Sequence, residues 1–387
     1  MFKNHQKQLL AMAIALSGCG GAWAVEPQHI NVLDGVTFTP ELKVSEAYDD
    51  NFRAVEERVQ SSWITSINPS FTLAAGSRNS AYTLVYAANS DVFHSSQEDN
   101  NTDHLLTADA VYNFDVRNRL KLSAGYNKIE ETATDDQNFE NDKFTTTNFG
   151  GVYTYGADSA RGQVDISAKH EQLRYQNSGD LNKDKERDTT ALASTFYYRV
   201  GPRTRTLVEA RHTEHDYVSN DRLSSNNIAL LGGIEWDATV KTSGSAKFGG
   251  ELKRFDESSI DDKSASMWEV GVTWSPRTYS SFDLMTRSSI DEGDSGATSI
   301  QSQLVELSWN HEWLDRLSSK VHYSINDQDY QDTSREDKIS AFGAGMTYSM
   351  RRWLDVGVSY KYMENNSNAK NESYERNVYL LSVTASL

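Results

Sequence analysis

The sequence predicts an all-β protein: a closed antiparallel transmembrane β-barrel of the outer-membrane type, with about eighteen strands. Three observations carry this. The first is alternation with a period of two along most of a 387-residue chain, which puts successive side chains on opposite faces of a strand. The second is composition. Only 37% of residues are hydrophobic, yet there are 19 Tyr and 8 Trp, with 5 Pro. In a barrel only every second strand residue meets lipid, and Tyr and Trp gather at the two interfaces. The third is the last stretch, Arg376 to Leu387. Tyr379, Leu381, Val383, Ala385 and Leu387 form an apolar row; Leu380, Ser382, Thr384 and Ser386 form a row that is mostly small and polar. A final strand would leave an unpaired edge unless it pairs with the first.

The chain contains no run of 18 apolar residues, so no helical span is expected. The formal charge of −17 argues against nucleic acid as a partner. At the start, Lys3 and Lys7 precede an apolar core, Leu9 to Leu16, and Ala22-Trp23-Ala24 is an A-x-A site. Residues 1–24 therefore read as a signal peptide. Leu16-Ser17-Gly18-Cys19 offers a rival, lipoprotein-type cut before Cys19, where lipidation would occur. A barrel held by its own lipid-facing band gains little from an acyl chain. The cut after Ala24 is thus the expectation, leaving a mature chain without cysteine. Residues 25–37 read as a short periplasmic N-terminal segment, too short for a plug, and 38–387 as the barrel.

Strand-like segments fall at 38–48, 61–73, 80–93, 104–114, 120–131, 143–156, 162–176, 188–200, 204–217, 225–237, 243–255, 264–274, 278–290, 299–310, 318–328, 337–350, 354–364 and 374–387. The clearest alternations carry charge or tiny residues on one face, as in Leu120 to Tyr126, Ala246 to Lys253, Trp268 to Trp274 and Leu354 to Tyr360. On this reading Leu122, Phe248, Leu252, Val270, Val356 and Val358 face lipid. Connections alternate too. One set is short and basic: Gly76 to Asn79, Val116 to Arg119, Gly201 to Thr204, Ser275 to Thr278, Asp315-Arg316 and Arg351-Arg352. The other is long and acidic, as in Ser95 to Asp103, Glu131 to Asp142, Asn177 to Asp188 and Asn365 to Ser373. Short turns belong to the periplasmic side of such barrels. Arg117, Arg119, Arg203, Arg277, Arg316, Arg351 and Arg352 should then ring the periplasmic rim.

The first hairpin is the most specific stretch. Glu46-Ala47-Tyr48-Asp49-Asp50-Asn51-Phe52-Arg53 is followed by Trp63 to Phe71, with Pro69 near its middle. Together with the Pro-Arg-Thr turns at 202–204 and 276–278, it resembles the β-barrel porin family of exopolysaccharide and capsule export loci. The chain departs from many barrels in ending on Leu387 rather than Phe. The resemblance implies a passive outer-membrane pore that exports an extracellular or capsular polysaccharide beside a periplasmic polysaccharide export protein. It also implies insertion by the barrel assembly machinery into a membrane of lipid and lipopolysaccharide in a Gram-negative bacterium. The alternative is a general diffusion porin for small solutes.

Eighteen strands enclose a water-filled lumen rather than a side-chain-filled core. Its wall, the candidate substrate path, should carry Lys121, Asp165, Lys169, Glu209, Arg211, Glu235, Lys247, Glu251, Lys253, Glu269, Asp283, Arg287, Glu306, Lys320 and Asp355, with Lys43 and Glu171 beside them. A pore for small anions would show a basic ring and one for cations an acidic ring; this wall is mixed. Mixed charges also pair across strands and keep the wall wet. A remote alternative is a barrel hydrolase. His212 and Glu214 share a face, as do His215 and Tyr217, and His170 adjoins Glu171, but no nucleophile motif accompanies them. Asp291-Glu292-Gly293-Asp294 lacks the spacing of a calcium loop and reads as solvated loop. No cofactor, metal or catalytic residue is expected.

Overall fold

The computed structural model describes residues 29–132, 140–239 and 241–386. The signal peptide, Cys19 and the cut after Ala24 lie outside the described residues. The chain forms β1 (Ile30–Leu33), β2 (Val36–Asp49), β3 (Ser62–Gly76), β4 (Ser80–Phe93), β5 (Asn101–Asn113), β6 (Asn118–Glu131), β7 (Asp142–Tyr155), β8 (Gly162–Tyr175), β9 (Arg187–Gly201), β10 (Thr204–Tyr217), β11 (Ser225–Thr239), β12 (Thr242–Phe255), β13 (Lys263–Arg277), β14 (Ser280–Glu292), β15 (Ser299–Leu314), β16 (Leu317–Tyr330), β17 (Glu336–Arg351), β18 (Leu354–Ser367) and β19 (Tyr374–Ser386). From β2 onward each strand pairs antiparallel with the next, and β19 pairs with β2. That closes an eighteen-strand ring.

β1 is an addition to the expected set. It lies within the stretch read from sequence as a plain N-terminal segment. The β19 ladder on β2 stops at Glu41, and β1 covers part of the edge left beyond it, pairing Ile30 with Phe38 and Leu33 with Val36. β2, the first strand expected from the alternation, begins at Val36, two residues earlier than the expected 38.

The ring is sewn shut at its loop end by the Asp-Asp-Asn stretch. Asp49 accepts from Arg376 Nε and Nη2 at 2.8 and 2.5 Å. Asp50 accepts from the Asn377 backbone N–H and from its side-chain amide, both at 2.7 Å. Asn51 donates to the Glu375 and Val55 carbonyls, each at 2.9 Å, and accepts from Val55 N–H. At the other end Ser386 Oγ donates to the Pro40 carbonyl at 3.1 Å. Pro69, which has no N–H to give, falls where the β3–β4 ladder lapses between Ile67 and Ser70.

Register divides the side chains into two faces. The outer face is apolar and exposed, including Leu122, Val358 and Phe248, which is 61% accessible. Aromatic rings stack along it near the short turns. Trp274 meets Phe282 at 5.3 Å between centroids, and Phe282 meets Trp309 at 6.0 Å. Near the loops Tyr48 meets Trp63 at 5.3 Å. These are the two interfacial belts that a bilayer selects.

The short connections hold two to six residues and the others five to twelve. All seven expected rim arginines sit in or beside the short set. Arg119 bonds the Asp158 carboxylate across the β7–β8 turn. One turn differs from expectation. Ser275 to Arg277 belong to β13, at a register shift between Trp274 and Arg277, so Pro276 interrupts a ladder rather than forming the turn.

Two outcomes test this architecture. Phe248→Arg should cost about 2–4 kcal/mol in a folding titration in lipid, because a cation would face mid-bilayer hydrocarbon, while Lys247→Arg on the other face should cost far less. Asn51→Ala should lower stability by about 1–3 kcal/mol, since it strips partners from groups buried at the seam. Heat-modifiable migration, read against temperature, checks the second.

Candidate functional site

The inner face is identified by reach. Arg211 on β10 bonds Glu269 on β13 through Nη1 at 2.5 Å and Nη2 at 2.9 Å, spanning two intervening strands. Side chains can do this only across the concave side. Pairing then carries the assignment round the ring. Lys121, Asp165, Lys169, Glu209, Glu235, Lys247, Glu251, Lys253, Asp283, Arg287, Glu306, Lys320 and Asp355 share that face, as do Lys43 and Glu171.

The structure sorts these charges in a way the alternation does not disclose. On β10–β13 they form one network. Lys247 Nζ donates to Glu209 at 3.0 Å and to Glu269 at 2.9 Å, and Arg211 bonds Glu209 as well. Under it lies a small apolar floor of Ala229, Leu231 and Met267. Nearby, Arg205 holds Glu235 at 2.5 Å and lies 4.5 Å over the Tyr197 ring. Half-buried charges persist here because each has partners in reach.

Toward the loops, Lys253 is fully buried and bonds Glu292. Glu292 also accepts from Tyr217 OH at 2.8 Å and lies 3.2 Å from His215 Nε2. Glu292 ends β14, whose pairing with β13 stops at Ser288. The last residues of β14 and the loop to β15 therefore bend inward as an arm. Ile290 N–H donates to Glu251 on β12 at 3.1 Å, and Asp294 reaches Lys185 in the β8–β9 loop at 3.1 Å. Loops that far apart round the ring meet only by crossing its opening. Gly293 and Gly296 permit the bend: a Cβ on Gly293 would lie 2.1 Å from the Ala297 carbonyl, and Gly296 has φ +87°. Asp332 of the β16–β17 loop clamps the arm's return, accepting from Lys263 at 2.7 Å and Thr298 at 2.5 Å. These hydrogen bonds hold its carboxyl below the usual range, so the clamp is ionised at neutral pH.

A second segment also turns inward. Phe52, just past the seam, is buried against Ala47, Ile64 and Phe93, its ring 5.1 Å from that of Phe93. Arg53 then pairs with the fully buried Asp99 of the β4–β5 loop at 2.7 Å. The mouth is thus narrowed from two sides. The sequence signal was present in part: Phe52 and Val55 are apolar residues in a mostly polar loop. Nothing local marked Glu292, which read as solvated and is instead paired inside the mouth, whereas Asp294 stays exposed while pairing with Lys185.

The histidines singled out from the sequence divide between the two faces. His212 and Glu214 face outward, His215 faces inward, and His170 faces outward with Nδ1 3.0 Å from Thr190 Oγ1. Among the described residues no cluster of three or more His, Cys, Asp or Glu could hold a metal ion.

Comparisons place this geometry. The profile of a family described as "Putative beta-barrel porin 2" matches residues 35–387. No curated protein matches the chain. Among solved structures, Pseudomonas aeruginosa OpdK, crystallised with vanillate, superposes with TM-score 0.51 at 11% identity, covering 90% of this chain and 99% of that one. Acinetobacter baumannii OccAB4 gives TM-score 0.51 at 10% identity, covering 92% and 100%. At this identity the likeness is one of fold: a closed outer-membrane barrel.

If the two inward segments narrow the mouth, loosening them should widen it. Phe52→Ala combined with Glu292→Gln should raise single-channel conductance in a planar bilayer and make the β14–β15 loop more sensitive to protease. Conductance equal to that of the unaltered protein would mean the narrowest point lies elsewhere.

Proposed function

The chain belongs to the "Putative beta-barrel porin 2" family, and from that membership we propose a passive, non-enzymatic channel through which small hydrophilic solutes cross the outer membrane. The protein is a barrel of the Gram-negative outer membrane. The observation that carries the proposal is the shape of the path. A wet inner wall of both charge signs leads to a mouth narrowed by Phe52 on one side and the Glu292–Asp294 arm on the other. Small solutes pass such a constriction one at a time. A polysaccharide would have to thread it continuously, past an arm tied by the buried Lys253–Glu292 pair and by Asp294 on Lys185.

Small-solute diffusion is therefore favoured over the polysaccharide export implied by the first-hairpin resemblance. The export reading would bring a periplasmic export partner with it, and one strain tests both. Deleting the gene should slow uptake of small sugars and amino acids and leave surface polysaccharide normal. Purified protein in liposomes should support swelling in arabinose that falls off steeply with solute size. Loss of surface polysaccharide with unchanged small-solute permeability would reverse the assignment. Proteoliposomes that neither swell nor conduct would end the channel reading.

A further inference from the structure

We propose that the inner wall formed by β16–β19 and β2 carries a binding subsite for small organic anions, held by Lys43, Lys320, Lys361 and His322. This deepens the channel reading and rests on it.

Register brings these residues together. Lys320 pairs with Gly345, which pairs with Ser359. His322 pairs with Gly343, which pairs with Lys361. Lys43 stands opposite Thr384, next along the inner row from Ser382. Glycine keeps the wall low between the cations. A Cβ on Gly343 would lie 2.2 Å from His322 Cε1, so the imidazole leans into the space that residue leaves open. The result is a cavity of about 280 Å³ that includes Lys43, Lys320, His322, Ser359, Lys361 and Ser382 in its lining.

The charge state of this wall differs from that of β10–β14. There Arg211, Lys247 and Lys253 are each locked to glutamates. Here Lys43 and Lys320 form no ion pair among the described residues. The neighbouring carboxylates border the cavity. Glu306 pairs with Ser324, one inward position beyond His322, while Glu41 and Asp355 lie toward the short turns. Ammonium groups gathered in one recess repel one another, and an anion between them relieves that repulsion. The hydroxyls of Ser359 and Ser382 and the imidazole add hydrogen-bonding capacity, which suits a carboxylate better than a bare halide. The volume lies near the lower end of the roughly 300–1,000 Å³ typical of ligand pockets, which limits the occupant to a small molecule.

The test uses the whole barrel in a planar bilayer with benzoate as probe. Benzoate added to potassium chloride should reduce the conductance of the unaltered protein. The Lys43→Gln, Lys320→Gln, Lys361→Gln triple variant should require about tenfold more benzoate for the same reduction, as expected for losing the charges that hold an anion. Heat-modifiable migration, together with swelling in neutral arabinose above that of protein-free liposomes, establishes that the variant is folded and open. Should the triple variant not fold, Lys320→Gln alone should show a smaller shift in the same direction, and Lys320→Arg should restore the unaltered response. A conducting protein insensitive to benzoate, or a benzoate response identical in protein and variant, overturns the subsite while leaving the channel intact. Absence of both conductance and arabinose swelling overturns the channel and the subsite with it.

Discussion

Closure of the sheet is the constraint on which the rest of the molecule depends. In hydrocarbon every backbone N–H and C=O must find a partner within the protein, and an open sheet would leave two edges bare. The join between β2 and β19 removes both at once. The ladder from Asp49–Val378 to Glu41–Ser386 does most of this. At the loop end it is continued by side chains: Asp49 on Arg376, Asp50 on Asn377, and Asn51 on the Glu375 carbonyl. A stretch that stands out in the sequence as a polar motif thus acts mechanically, as the clasp of the ring.

Once the ring is closed, alternation has an unavoidable consequence. Every second residue is held inside, whatever its charge. The chain answers this in two ways. Along β10–β14 it balances cations against glutamates at short range, so half-buried charges are kept with partners. Along β16–β2 it uses glycine and serine between the lysines, which leaves a recess. The same period-two rule therefore yields a wall of paired charges on one side and a recess lined by lysine and serine on the other.

The loops complete the path. Phe52 is drawn in because the inward faces of β2, β3 and β4 happen to be apolar at their loop ends, at Ala47, Ile64 and Phe93. The β14–β15 arm is drawn in by charge, through Glu292 and Asp294. Phe52 follows the end of β2, and the arm starts where β14 has left β13 while still paired with β15 as far as Glu292, so both constrict the mouth at the loop end of the ladder. This separation lets a barrel keep its wall constant while its loops set what passes.

The sequence by itself determined the fold class, the strand count and the two faces. These follow from a local rule: pleated strands alternate, and lipid on one side with water on the other makes the alternation visible at Phe248 and Lys247 alike. Most strand ends were legible for the same reason, since turns such as Pro202-Arg203 interrupt the pattern. Two details escaped. β1 is four residues long and takes its meaning only from the edge of β2 it covers. Pro276 looked like a turn residue because Pro is common in turns, and only the register showed the ladder broken there instead. The site was legible as a set of inward charges, but not as an arrangement. Which lysine is locked and which lines a recess depends on neighbours two or more strands away, and the inward fold of the arm depends on contacts across the whole opening. Such contacts join residues distant in sequence, and no local pattern records them. They are fixed only when the sheet curves round and brings its far sides together.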